Sequence, residues 1–280
     1  MRARLFRSLA TTIVLVAATA TIGYSHDLFL KPAAFLVAPN ATVALTALNG
    51  TFTTSEGTVT ADRLIDLAVV GPAGRTKGDT VLWRARGKAS TWTAKVGAAG
   101  TYVLGASLRP RLITLDGAKF NAYLADDGLP DVLAARRASG ESAKPATERY
   151  AKHVKALVQV GAERTATFGT VLGYPAELVP LDNPYEAATA DKAPRTLRVK
   201  AMVDGAPVVN QVVLAGGRTT TGARIAPQTV RTDAQGVATI AIGTRGVWYV
   251  KFIKMVRVPA VPKDSVDYES KWATLTFAVR

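Results

Sequence analysis

Cysteine is absent from the 280 residues, which excludes disulfide scaffolds, thiolate zinc sites, iron–sulfur clusters and cysteine nucleophiles. Histidine is nearly absent, with only His26 and His153, so neither a three-histidine zinc site nor an HExxH metalloprotease helix fits in one chain. A Ser–His–Asp triad would need one of those two imidazoles, and the sequence has no G-x-S-x-G elbow. Beyond the first 25 residues there is no apolar run long enough to span a membrane. Basic residues are scattered, and without a cationic run there is no phosphate groove and no expected nucleic-acid partner.

Apolar residues make up 48% of the chain and charged residues 20%, which favours a folded core over disorder. The net charge is +14, from 35 Lys+Arg against 21 Asp+Glu. Charge of that size favours contact with an acidic surface but names no partner.

Residues 1–25 form a secretory signal: Arg2, Arg4 and Arg7, then an apolar Leu9–Ile22 stretch, then Gly23-Tyr24-Ser25 before His26. Cuts after Ala18 or Ala20 also satisfy the small-residue rule. Removal of the three arginines lowers the net charge to +11. A cysteine-free exported chain suits a bacterial periplasm or secretion.

The remainder reads as mainly β, with two immunoglobulin-like β-sandwich domains and a short helical insertion. The first domain is expected over 26–165, with the insertion at about 117–147, and the second over 166–280. Short alternating or β-branched runs separated by turn signals give strands at Thr42–Leu48, Leu64–Val70, Thr80–Ala85, Ser90–Val96 and Thr101–Ser107. Helical spacing covers Gly117–Asp126 and Pro130–Arg137, while Glu148–Val160 fits either period, with strand favoured at its C-terminal half. Later strands are expected at Thr196–Val203, Val208–Leu214, Thr229–Thr232, Val237–Ile242, Val247–Val256 and Trp272–Val279. Asp204-Gly205 signals a hairpin, and Asp233 to Gly236 a turn with a left-handed glycine. Gly100-Thr101-Tyr102-Val103-Leu104 and Gly246-Val247-Trp248-Tyr249-Val250 hint at duplication.

Two resemblances follow from longer segments. Residues 203–250, through Asp204, Pro207, Asp233, Gly236, Trp248 and Tyr249, resemble carboxypeptidase-regulatory-like or transthyretin-like modules, which implies a fold and no chemistry. The blocks HDLFLKP (26–32), FNAYLADDGL (120–129), ERYAKHVKALVQVG (148–161), LGYPAELVPLDNPY (172–185) and YESKWATLTF (268–277) resemble a bacterial secreted family of unknown function linked to nickel uptake as a NikM-like periplasmic component. That resemblance implies transition-metal handling outside the cytoplasm.

Cleavage before His26 would free an α-amine on a histidine. The amine and Nδ1 of one residue close a chelate ring, and His153 is the other imidazole available for a histidine brace. Three nitrogens in one plane suit Cu(II) or Ni(II), and such ligands must be deprotonated. Asp27, Asp267 or Glu269 would supply an oxygen or orient an imidazole. The sequence reading is a non-enzymatic periplasmic protein that binds nickel, cobalt or copper through His26, His153, Asp27 and Glu269, serving uptake or trafficking with a membrane transport component. A structural or adhesive envelope module with incidental histidines is the first rival, and a copper-dependent oxidase the second. Asp126-Asp127-Gly128 and Asp182-Asn183-Pro184 read as turns, and Tyr185 and Trp272 as core or interface aromatics.

Overall fold

The computed structural model describes residues 26–186, 195–259 and 266–280. The expected signal segment, residues 1–25, lies outside them. In chain order the strands of the first half are β1 (Asp27–Pro32), β2 (Leu36–Val37), β3 (Thr42–Gly50), β4 (Ser55–Gly57), β5 (Leu64–Gly71), β6 (Gly74–Lys77), β7 (Arg84–Arg86), β8 (Ala89–Lys95), β9 (Gly100–Leu108) and β10 (Arg111–Leu115). Two helices follow, α1 (Gly117–Asp126) and α2 (Pro130–Ala138). The chain continues through β11 (Ala146–Val160), β12 (Ala176–Pro180), β13 (Thr196–Val203), β14 (Ala206–Pro207), β15 (Val212–Thr219), β16 (Arg224–Arg231), β17 (Val237–Ala241), β18 (Gly246–Arg257) and β19 (Tyr268–Val279).

The chain is mainly β, and the described residues form three sheets. A ten-stranded central sheet runs β16-β15-β18-β19-β11-β9-β5-β6, with β2 and β10 also on β11. Both halves of the sequence therefore share one sheet, joined where β11 pairs in parallel with β19 from Glu148↔Tyr268 to Ala156↔Thr276. A five-stranded sheet, β1-β3-β8-β7 with β4 on β3, and a four-stranded sheet of β12, β13, β14 and β17 are separate from it.

Strand alternation sends successive side chains of β11 to opposite faces. Val154, Ala156, Val158 and Val160 join Leu28, Leu30, Val43, Leu45 and Trp92 of the five-stranded sheet in one core. Leu157 faces the other way, into a core shared with Leu178, Val199 and Ile240 of the four-stranded sheet. A third cluster packs Phe120, Tyr123 and Leu124 of α1 against Tyr268 and Trp272 of β19. A buried side chain of this size contributes roughly 1.5–3 kcal/mol over its exposed state.

Local chemistry explains where the elements stop. Asp116 caps α1 by accepting from Lys119 N at 2.8 Å, and Pro130 opens α2 at a position where its missing N–H costs nothing. Asp204 and Gly205 both take positive φ, 49° and 79°, as the hairpin between β13 and β14 requires. Asp233 Oδ1 accepts from Gln235 N and Val237 N, each at 2.9 Å, and Gly236 has φ 74°.

Several boundaries differ from the sequence expectation. Glu148–Val160 is strand throughout, because β11 gains partners along its length that its own helical spacing at Tyr150, Val154 and Leu157 cannot anticipate. Thr80–Leu82 is a short 3-10 turn, since Asp79 Oδ1 accepts from Val81 N at 2.8 Å and curls the chain before β7. The strand expected from Val208 starts at Val212. Asn210 has φ 56°, and Thr232 Oγ1 takes the Gln211 N–H at 2.8 Å, so residues 208–211 form a turn.

Candidate functional site

β1 is an edge strand of the five-stranded sheet, and its outward carbonyls would be orphaned without partners. The central sheet provides them with side chains. Thr274 Oγ1 donates to Leu28 O at 2.7 Å, and Thr276 Oγ1 donates to Leu30 O. Lys152 Nζ donates to His26 O and, at 3.3 Å, to Asn49 Oδ1. Carbonyls 26, 28 and 30 are thus held in turn by β11 and β19, which fixes the position of His26.

Around that anchor lies a cluster of buried charge. Lys251 of β18 bridges Asp27 Oδ2 at 2.6 Å and Asp127 Oδ1 at 2.8 Å. Asp127 is the C-cap of α1, so the turn that ends the helix also delivers a carboxylate. Burial favours the neutral amine of Lys251, but Asp27 and Asp127 outweigh it and hold the pKa above its ordinary value. Burial pushes the Asp127 carboxyl up to about 6; Lys251 pulls it down and Asp27 pushes it further up. Burial lowers Lys152 to about 8, opposed by Asp27 and Asp127.

His26 sits at the rim of this cluster. Its Nε2 is 3.2 Å from Glu56 Oε2 in the β3–β4 hairpin. A carboxylate on Nε2 favours the proton there and leaves the Nδ1 lone pair available. Among the described residues Asp27 Oδ1 is buried without a hydrogen-bond partner. His26, Asp27, Phe29, Phe52, Asp127 and Tyr249 surround an open pocket of about 250 Å³. Phe29, Phe52 and Tyr249 form its aromatic wall, with ring centroids 4.8–5.2 Å apart.

The other nominated residues lie elsewhere. Lys152 and His153 are neighbours on β11 and so face opposite sides; Lys152 reaches His26, while His153 Nδ1 meets Ser107 Oγ at 2.9 Å beside the Tyr174 ring. The central sheet therefore separates the two imidazoles. His153 is buried, and burial, with Lys271 adding, lowers its pKa to about 4. Among the described residues its Nε2 has no hydrogen-bond partner. Glu269 pairs with Arg149 at 2.6 Å, and Asp267 Oδ2 accepts from Thr147 N at 2.7 Å. Asp182 pairs with Arg198 at 2.7 Å, and Tyr185 and Trp272 are buried. Among the described residues, no group of three or more His, Cys, Asp or Glu side chains is arranged to hold a metal.

Sequence reasoning missed Glu56, Lys152 and Lys251. Lys251 left a signal: one lysine inside VWYVKFI, a run otherwise suited to a buried strand. Lys155 is a similar case, buried and paired with Glu177 across to the four-stranded sheet. Glu56 left none, because the hairpin that carries it is recognisable only once β3 has folded.

The fold and this cluster define a mainly β protein with buried ion pairs gathered where its first strand meets the central sheet. The chain belongs to the DUF4198 family, a domain of unknown function, whose model matches residues 23–254. No curated protein matches it significantly. Among solved structures it is similar to the BSP domain of a biofilm-associated protein, at 8% identity and TM-score 0.18 over 89% of this chain, and spans 29% of that chain. It is also similar to a two-domain fibronectin type III segment of chicken tenascin, at 12% identity and TM-score 0.18, over 87% of this chain and 95% of that one. At that TM-score neither likeness bears on fold or function. Among the described residues no helix is long and apolar enough to cross a membrane.

Proposed function

We propose that the protein is a periplasmic or secreted binder of one divalent transition-metal ion, nickel, cobalt or copper, held at His26 after cleavage before that residue. The supporting observation is the His26–Glu56 contact at 3.2 Å beside the unpartnered Asp27 Oδ1. The donors would be the α-amine and Nδ1 of His26, with Asp27 Oδ1 next in the chain. Glu56 orients the imidazole through Nε2. An amine, an imidazole nitrogen and a carboxylate oxygen suit Ni(II) and Cu(II), and the remaining positions stay open to solvent or a carried ligand. His153 and Glu269 have no part in this set. Open positions and a single imidazole fit acquisition or hand-over to a transport component.

We also read each half of the chain as an immunoglobulin-like unit, fused along the β11–β19 pair. The matching placement of Gly100 and Gly246 at the starts of β9 and β18, with φ 152° and 153°, supports this duplication.

Native mass spectrometry of protein exported to a periplasm tests the metal reading. The expected mass begins at His26 and retains one Ni(II) or Cu(II), which His26→Ala loses. A chain that begins elsewhere, or equal retention by His26→Ala, refutes it.

A further inference from the structure

A second pocket, of about 310 Å³, adjoins the one at His26 and shares Thr51, Phe52 and Tyr249 with it. Its far side carries Arg218 of β15 and Arg224 of β16. These arginines are direct cross-strand partners. Like charges placed opposite one another in a ladder destabilise it. Lys31 adds a third positive charge. Its ammonium lies 5.1 Å over the Phe52 ring, and burial together with Arg218 lowers its pKa.

Among the described residues Lys31, Arg218 and Arg224 make no ion pair, as holds for several other arginines; what sets these apart is that Arg218 and Arg224 stand directly opposite each other at one pocket. Asp27 and Asp127, which line the adjoining pocket with Tyr249, are already bound to Lys251. Among the described residues Arg218 donates only to the Gly222 carbonyl, at 3.4 Å.

We infer that this basic pocket is a binding site for a small organic di- or tricarboxylate. Guanidinium forks match carboxylates in a bidentate way. The volume lies at the lower end of the range for small-molecule sites, and the Phe52, Tyr249 and Ile225 side chains offer apolar walls to a carbon skeleton. A bound dianion would relieve the Arg218–Arg224 repulsion. The inference stands apart from the metal reading, since none of its three cations belongs to the His26 donor set.

Calorimetric titration of the exported protein with citrate, in metal-depleted buffer of low ionic strength, tests it. The wild type is expected to bind one citrate, with affinity falling as salt rises. Arg218→Gln/Arg224→Gln is expected to lose at least tenfold in affinity, and His26→Ala to stay within twofold. Citrate should also raise the melting temperature of the wild type and not of the double variant, which keeps the test valid if the variant's own stability changes. Equal citrate affinity in the double variant, sulfate binding as tightly as citrate, or loss of binding in His26→Ala would overturn the inference.

Discussion

Replacing His153 with asparagine should change the acid limb of stability and little else. The imidazole is 2% exposed, its Nε2 has no partner among the described residues, and it faces Lys271 and Asp204. Burial lowers its pKa from 6.5 to about 4. Between those values the unfolded chain takes up a proton that the folded chain refuses. The stability contributed by neutral His153 is therefore complete above about pH 6.5 and is lost as pH falls towards 4. At 1.36 kcal/mol per unit, a difference of 2.5 units corresponds to roughly 3 kcal/mol. Asp127 acts oppositely in an overlapping window, because its raised carboxyl contributes stability below about pH 4 that is lost as pH rises through 6. Only the difference between wild type and variant isolates the histidine. Asparagine keeps a polar partner for Ser107 Oγ and cannot titrate, so its packing cost is constant with pH. Urea unfolding from pH 7.5 to pH 4 should show the wild type's advantage over His153→Asn shrinking by about 3 kcal/mol. A gap that stays constant within about 0.5 kcal/mol would refute the assignment of His153 as a buried neutral group.

Lys251→Met leaves Asp27 and Asp127 buried without their cation and should cost about 3–5 kcal/mol at pH 7.5. The deficit should narrow at pH 5, where Asp127 is protonated; urea unfolding at both pH values would show an unchanged deficit if the cluster is not coupled. Thr274→Val orphans the Leu28 carbonyl and should cost about 1–3 kcal/mol, with faster amide exchange concentrated in β1. Exchange unchanged in β1 would show that the hydroxyl does not anchor the strand. At Gly246 a Cβ would stand 2.1 Å from the Arg218 carbonyl oxygen, so Gly246→Ala should lower thermal stability by the equivalent of about 1–3 kcal/mol. A melting temperature equal to the wild type would contradict the close β15–β18 approach.

Local signals carried much of the architecture. Helical spacing, with glycines at 128 and 140 just beyond each end, placed α1 and α2 so clearly that both helices emerge within a residue of that reading. Turn chemistry did the same for Asp204-Gly205 and Asp233–Gly236. Partner choice was not legible. Nothing in Glu148–Val160 says that it pairs with a strand more than a hundred residues away, and that parallel pair joins the halves of the chain into one sheet. The same gap misplaced the second imidazole. His153 and Lys152 are adjacent in sequence, and only the docking of β1 decides that the lysine, and not the histidine, meets His26. Glu56, Asp127 and Lys251 come from three separate elements, so their convergence is a property of the tertiary fold alone.

Pulsed electron paramagnetic resonance of the exported protein loaded with one equivalent of Cu(II) counts the imidazoles that coordinate the ion, and so whether His26 alone holds it. One imidazole is expected, with the spectrum unchanged in His153→Asn and the bound species gone in His26→Ala. Two coordinated imidazoles, or a spectrum that persists in His26→Ala, would contradict it.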